Sequence, residues 1–304
     1  MQTNKPRILL IGGTGKVGSQ IAKLLAATTI PTYQASRSGK STTEPHARNI
    51  KPIAFDWDDE KTWAAALDTG ATSVFLVAPS ILDMLPPMKS FIDQARSRGR
   101  IKRFVLLSAS ALEPDIIGLA MGRPHAYLKQ LGDKGEVEWA AIRPSSIVNE
   151  SMIYSAAADG KIPWVATEDV AAVAYQLLTQ EDAPNDQYIV LGPELLSYDD
   201  VSVIISFELY DWMLTGPIQI AEILSDVLGR KIVHKNLSAL ELVERFTSQG
   251  MPQDYAEMMA GLDTAIKEGS ENRTNSVVLA VTGKQPRKFR DTAEKYKGVW
   301  ATEV

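Results

Sequence analysis

The sequence contains no cysteine. That excludes disulfides, a thiolate nucleophile and any metal site built on thiolates. Histidine is almost as scarce, with only His46, His125 and His234 among 304 residues. They stand too far apart for a helical metal motif, so no metal centre is expected. Long apolar runs are missing too. No uncharged stretch approaches a membrane span, and the N-terminus lacks the basic region, apolar core and cleavage site of a secretory signal. The expectation is a cytoplasmic protein with no membrane partner. Nor is there an excess of positive charge. The net charge of −5 favours solubility and gives no reason to expect nucleic acid as a partner. The basic clusters at 96–103 and 284–290 are short, as solvated helix ends or tails would be. The remainder is ordinary for a globular protein, with 45% hydrophobic and 23% charged residues. The chain is long enough for one large domain or two modest ones. No internal repeat or low-complexity linker interrupts it.

Glycine is concentrated at one place. Residues 7–18 read Arg-Ile-Leu-Leu-Ile-Gly-Gly-Thr-Gly-Lys-Val-Gly. An apolar strand at 8–11 runs into a turn containing Gly12, Gly13, Thr14, Gly15 and Lys16. A helix then follows, with Val17, Ile21, Leu24 and Leu25 on one face. A tight turn after a strand needs positive φ, which glycine tolerates cheaply. Close packing of helix on strand favours a small residue at Gly18. Pyrophosphate needs close backbone approach, and the helix N-terminus offers free N–H groups and partial positive charge. Strand, glycine turn and helix in this order form a dinucleotide-binding fingerprint. The plainer alternative is a strand–turn–helix with no ligand.

Strands and helices alternate through the first half. Strands are expected at 8–11, 32–36, 53–55, 73–77, 103–107 and 139–142, with helices at 62–67, 86–98 and 125–131. In the second half, strands are expected at 162–165 and 187–190, and a helix starts near Thr167 as a possible N-cap. Amphipathic helices are expected at 220–228 and 238–246. This order predicts an α/β fold, a Rossmann-type doubly wound parallel sheet covered on both faces. The first domain would span 1–145, and 146–304 would form a smaller α/β lobe on the substrate side.

The end of the second strand bears on which dinucleotide is bound. A cofactor without a 2′-phosphate usually meets Asp or Glu there, and one with it meets a cation. This chain has Arg37-Ser38 and no acid. Arginine presents a fork that fits phosphate oxygens, and Lys16 could assist. NADP is therefore expected over NAD, the alternative for Arg37 being a solvated surface residue. Asp56, after the third strand, either accepts from the adenine amine or caps its own turn.

The glycine turn, Arg37-Ser38, Asp56-Trp57, Val77-Ala78-Pro79, Leu106-Leu107-Ser108-Ala109-Ser110 and Arg143-Pro144-Ser145 together resemble the NmrA-like family of atypical short-chain dehydrogenase/reductases. The resemblance continues through Gly160-Lys161-Ile162-Pro163-Trp164-Val165, Thr167-Glu168-Asp169-Val170-Ala171, Thr282-Gly283-Lys284-Gln285-Pro286-Arg287 and Trp300. It covers most of the chain and is nearest to the fungal alkaloid-biosynthesis branch. It implies an oxidoreductase of secondary metabolism acting on a small alkaloid-like molecule. It also implies cofactor contacts at Gly12, Gly13, Thr14, Gly15, Lys16, Val17, Gly18, Arg37, Ser38, Asp56, Ala78, Pro79, Ser108, His125 and Pro144. Two other activities are compatible with the resemblance: a redox-sensing regulator that binds dinucleotide without turnover, and a cofactor-assisted cyclase.

Ordinary short-chain dehydrogenases pair a tyrosine with a lysine four residues later. None of the nine tyrosines here has that lysine. The corresponding segment is His125-Ala126-Tyr127-Leu128-Lys129, where His125 and Lys129 share a helical face. His125 is a candidate proton donor, ribose ligand or hydrogen-bonded helix residue. Lys129 reads as a solvated residue. Ser108 is the other catalytic candidate, and Ser108 and Ser110 follow the fifth strand, where open α/β sheets bind ligands. Ketone reduction builds charge on oxygen and benefits from an acid, whereas iminium reduction neutralises a cation. The missing tyrosine and the alkaloid resemblance both indicate a C=N substrate. Two departures from the family stand out. The stretch after Ser145 is short, and 201–219 is an apolar, aromatic insertion out of helical phase with its flanks. The insertion is either a translated intron, decided by sequencing the transcript, or a true lid or contact segment.

Overall fold

In the computed structural model, which describes residues 6–42, 47–145, 153–203 and 234–300, the alternation becomes a sheet of seven parallel strands. These are β1 (Ile8–Leu10), β2 (Thr32–Ser36), β3 (Ile50–Ala54), β4 (Ser73–Leu76), β5 (Arg103–Leu107), β6 (Glu138–Pro144) and, later in the chain, β9 (Asp186–Val190). Their spatial order is β3-β2-β1-β4-β5-β6-β9. The order reverses between β1 and β4, the point where doubly wound sheets bind ligands at their carboxyl edge. β1 and β4 are buried throughout, as strands covered on both faces must be. β3 begins earlier than its apolar residues suggest. Lys51 and Pro52 lie in it and are exposed, which an edge strand tolerates.

The first helices connect these strands: α1 (Lys16–Ala26), α2 (Lys61–Leu67), α3 (Leu85–Ser97) and α4 (Gly122–Asp133). α1 buries Val17, Gly18, Ile21, Ala22 and Leu25, whereas Leu24, expected on that face, is 40% exposed. The basic cluster at 96–103 does not form a cationic face. Arg96 pairs with Asp93 and Glu136, and Arg98 with Asp68. Arg103, itself buried, pairs with Glu138.

The chain divides into two compact units, and the division is not the contiguous 1–145 and 146–304 expected. The first unit comprises 1–144, 167–190 and 277–284; the second comprises 145–166, 191–276 and 285–304. The reason is topological. A parallel partner for β6 needs a crossover, which α5 (Thr167–Thr179) supplies before β9 pairs with β6. α5 buries Val170, Ala171, Val173, Ala174, Leu177 and Leu178 and packs against α1.

In the second unit, β7 (Ile153–Ser155) pairs with β11 (His234–Asn236), and β8 (Ile162–Pro163) with β10 (Leu195–Leu196). α6 (Tyr198–Val203), α7 (Ala239–Ser248), α8 (Gln253–Lys267) and α10 (Phe289–Trp300) accompany them. α9 (Val277–Thr282) belongs to the first unit. Ser238 caps α7 reciprocally with Glu241. Leu242, Val243, Ala256 and Ala260 form a core with Ala156. The helices α8 and α10 carry no strong signal in the sequence. The shortened stretch at 146–150, the expected helix at 220–228, His46 and residues 204–219 of the insertion lie outside the described residues. No helix among the described residues is long and apolar enough to cross a membrane.

Candidate active site

The four glycines of the first turn have different tasks. Gly12 adopts φ +72°, the left-handed region that glycine suits. A Cβ on Gly18 would stand 2.3 Å from the Gly12 carbonyl oxygen, so α1 can sit this close to the turn only without one. Gly13 is enclosed as well. Its N–H donates to Ala35 O, its carbonyl accepts from Gln34 Nε2, and a Cβ would meet Gln34 Cγ at 2.8 Å. Gly15 differs from these three. Its φ of −71° suits any residue, and a Cβ would meet only the Gly12 carbonyl oxygen, at 3.3 Å. The protein itself does not require glycine there. That one contact is tighter than most Cβ contacts, so a side chain needs the Gly12 carbonyl to give by a few tenths of an ångström; without one, the exposed backbone at Gly15 is open to a group approaching from outside. The helix behind it begins at Lys16 with no side-chain cap and no acid in its first turn. First-turn N–H groups lack intrahelical acceptors and carry the positive end of the helix dipole, a fit for pyrophosphate.

Gly12, Thr14, Gly15, Arg37, Asp56, Ala78 and Pro79 all line one cleft of about 510 Å³. Seven of the expected cofactor contacts thus come together. Gly13, Val17 and Gly18 are buried and build the turn from inside, while Lys16 and Ser38 are exposed. Arg37 and Ser38 form the corner of a tight turn in which Gly39 N–H donates to Ser36 O. Asp56 lines the cleft and also caps its own turn, its Oδ1 accepting from the Asp58 N–H at 3.1 Å. One feature of this cleft is not evident from the sequence motifs. Phe55, Trp57, Trp63 and Phe91 form an aromatic cluster with ring centroids 5.0–6.3 Å apart. Trp57 Nε1 donates to Val77 O and so ties the wall after β3 to the wall after β4. The signal available in sequence was the apolar-aromatic spacing from Phe55 through Trp63 to Phe91.

The remaining candidates lie at the carboxyl ends of β5 and β6 and on α4. Ser108 N–H donates to Ile142 O, and Ser110 N–H to Pro144 O, which extends the β5–β6 pairing past the strands. Pro144 closes β6 and is buried. Arg143, a member of the motif with no assigned role, is the clamp here. Its guanidinium donates to Ala109 O, Ser110 O, Gln187 Oε1 and the Glu113 carboxylate. A buried fork with several acceptors fixes the loop that carries both serines. Ser108 Oγ and both ring nitrogens of His125 are buried polar atoms with no hydrogen-bond partner among the described residues. Such atoms cost free energy unless something pairs with them. Burial, reinforced by the Arg143 charge, lowers the His125 pKa to about 4. The ring is therefore neutral near pH 7. Lys129, expected to share its face, instead bonds Asp133 at the exposed side of α4. Tyr127 donates to Asp93.

A second constellation lies in the other unit. His234 Nε2 lies 2.8 Å from Ser155 Oγ, and its Nδ1 lies 2.7 Å from Asp199 Oδ1. The order of atoms is that of a nucleophilic triad. Ser155 is fully buried, however, and its Oγ also accepts the Ala157 N–H. No substrate carbon reaches it, and the three residues tie β7, β11 and α6 together.

The comparisons with known proteins agree with this geometry. A model of the NAD(P)H-binding family matches residues 12–181. Festuclavine synthase II of Penicillium roqueforti is 37% identical over 315 residues, covering 97% of this chain and 99% of that protein. Agroclavine dehydrogenase of Claviceps fusiformis is 40% identical, covering 96% and 98%. The crystal structure of a Citrobacter triphenylmethane reductase complexed with NADP(H) matches with a TM-score of 0.70 at 19% identity, covering 95% of this chain and 99% of that one. At that identity the likeness shows the fold. With a strand, glycine turn and helix in this order, and relatives of this length and similarity, the chain belongs to the NAD(P)H-binding family and is an NAD(P)-dependent oxidoreductase.

Proposed function

We propose that the chain is a cytoplasmic, NADPH-dependent reductase of a C=N bond, iminium or imine, in an indole-alkaloid-type intermediate. The observation that carries the choice of bond is His125. It is the fully buried ionisable side chain of α4, the helix where ordinary short-chain dehydrogenases keep their acid, and burial and Arg143 hold it neutral. A ketone would need a proton at its oxygen during reduction, whereas an iminium, or an imine already protonated by solvent, ends the reaction neutral without a further proton. The relatives named for clavine alkaloids support the same substrate class. The preference for the 2′-phosphorylated dinucleotide rests on Arg37, which lines the cleft with no acid at the end of β2.

When bound, the nicotinamide supplies the hydride. In this reading the turn at Gly12–Gly15 and the first turn of α1 hold the pyrophosphate, and Arg37 with Ser38 holds the 2′-phosphate. Asp56 and the walls at Ala78 and Pro79 bound the adenosine side. Ser108 Oγ and the neutral His125 ring offer hydrogen bonds to ribose or substrate without delivering a proton. Arg143 keeps the Ser108 loop in place. The test is deuterium transfer. Deuterated NADPH is mixed with a cyclic indole iminium, and the product is analysed by mass spectrometry. One deuterium at the former C=N carbon is expected. Reduction of the matching ketone but not the iminium would overturn the reading. Tight NADPH binding with no oxidation by any imine would favour the regulator.

A further inference from the structure

Gln34 is an odd residue for its position. It sits in β2, inside a parallel sheet, and is fully buried. Comparable positions in β1 and β4 are Leu, Val and Phe. A buried carboxamide loses hydration and side-chain freedom, so it must find partners. Its partners come from two separate loops. Nε2 donates to Gly13 O at 2.8 Å and to Thr42 Oγ1 at 3.0 Å. Oε1 accepts the Thr42 N–H at 3.1 Å and the Ser41 hydroxyl. That is two bonds given and two received, the capacity of an amide. Gly13 belongs to the glycine turn, and Ser41 and Thr42 lie in the connection from β2 to β3 that begins at Arg37.

The other end of that loop is fastened as well. Ser36, two residues on from Gln34, donates from Oγ to Lys40 O at 2.8 Å and accepts the Lys40 N–H at 3.1 Å. The segment between these anchors carries Arg37, Ser38 and Lys40, all exposed, and neither cation is in an ion pair among the described residues. Two unpaired cations and a hydroxyl on a loop pinned at both ends form a preorganised anion site. Preorganisation reduces the ordering cost of binding.

We propose that Gln34 is a positioning residue for cofactor selectivity. It holds the Arg37–Lys40 turn in fixed register with the glycine turn, so that the 2′-phosphate meets Arg37 and Lys40 while the pyrophosphate meets Gly15. The inference rests on the NADPH reading above and adds Lys40 and Gln34 to it. It is tested by calorimetry on the unliganded protein with NADPH, NADH and adenosine 2′,5′-bisphosphate, alongside its melting temperature. Gln34→Leu keeps the size and removes these four bonds. Ser41→Ala with Thr42→Val removes both side-chain partners on the loop side, keeps the backbone N–H of residue 42 and leaves the strand untouched, which covers a Gln34→Leu protein that fails to fold. In either variant the NADPH-over-NADH preference is expected to fall about ten-fold, as loss of a charge-assisted contact would do. Lys40→Ala is expected to lower affinity for the bisphosphate and leave NADH unchanged. A purely structural role would lower the melting temperature and weaken both dinucleotides equally, which overturns the proposal. A wild-type protein that binds NADPH and NADH equally would overturn the NADPH reading itself. Loss of preference in Arg37→Ala, with the preference intact in the Gln34 and Ser41/Thr42 variants, would overturn this proposal alone.

Discussion

At the carboxyl edge of the large sheet, polar groups are left over; around His234 they are used up. His125 and His234 are both buried. Among the described residues, both His125 ring nitrogens lack partners, and the Ser108 hydroxyl is in the same condition. His234 spends both nitrogens, one on Ser155 and one on Asp199, and its ring stacks on Tyr198 at 5.5 Å between centroids. The same contrast holds for charges and turns. Lys161 is paired with Asp200, and Ser238 with Glu241, in the second unit. Arg37 has no acidic partner among the described residues, and Gly15 is exposed at the turn, in the first. Unpaired buried groups persist only for a reason. The first region is built to receive something, and the second to hold itself together.

Substitutions should separate the two. The largest effect is expected at Gly15. Its φ suits any residue and an added Cβ meets one tight neighbour, the Gly12 carbonyl oxygen at 3.3 Å, so Gly15→Val should fold with a modest loss of melting temperature, while NADPH binding falls beyond about a hundred-fold because the branched Cβ occupies the phosphate approach. Calorimetry on the folded variant checks this; unchanged affinity would remove the phosphate from the turn.

His234→Leu should do the reverse. It leaves the Ser155 hydroxyl buried without its partner, a loss of about 1–3 kcal/mol, and lowers the melting temperature by on the order of 2–8 °C. The ratio of NADPH to NADH affinity should not move. Thermal melts run beside calorimetry would show a shift in that ratio and so break the contrast.

His125 gives a pH-dependent test. Its folded pKa of about 4 lies below the ordinary 6.5. The unfolded chain therefore takes up the proton first, and stability present above pH 6.5 is lost progressively as the pH falls towards 4. The full difference is about 3 kcal/mol. Denaturant titrations at pH 7 and pH 4 should show His125→Gln losing less stability than the wild type by a good part of that amount. Equal losses would mean that the ring is already paired or charged. The smallest expected effect is on rate. His125→Ala should keep single-turnover reduction within about ten-fold, since general acid help is worth about 10²–10⁴-fold. A hundred-fold fall with intact NADPH binding would restore His125 as an acid.

The part of this contrast that could be read from sequence is the part carried by short-range pattern. The glycine spacing, the apolar strands and Arg37 at the end of β2 are local, and each has a local physical cause. Seven of the residues expected at the cofactor meet in one cleft for that reason. The partition into domains was not local. It depends on α5 and β9 returning to the first sheet, which no composition shift announces. Gln34 and Arg143 were equally hidden. A glutamine or an arginine in a strand reads as ordinary until the loops it bonds, at Ser41–Thr42 and at Ala109–Glu113, are seen around it. The His125–Lys129 spacing placed two side chains on one helical face. The helix is amphipathic at finer grain, so one is enclosed and the other bonds Asp133 in solvent.

The central claim is that the open region is shaped for a dinucleotide carrying a 2′-phosphate. Calorimetric titration of NADPH and NADH into the wild type and into Arg37→Ala tests it most directly. A charge-assisted contact with phosphate is worth roughly 1.5–3 kcal/mol, so NADPH affinity should fall about ten- to a hundred-fold while NADH affinity stays nearly constant. Equal losses for both cofactors, or none for either, would contradict the account.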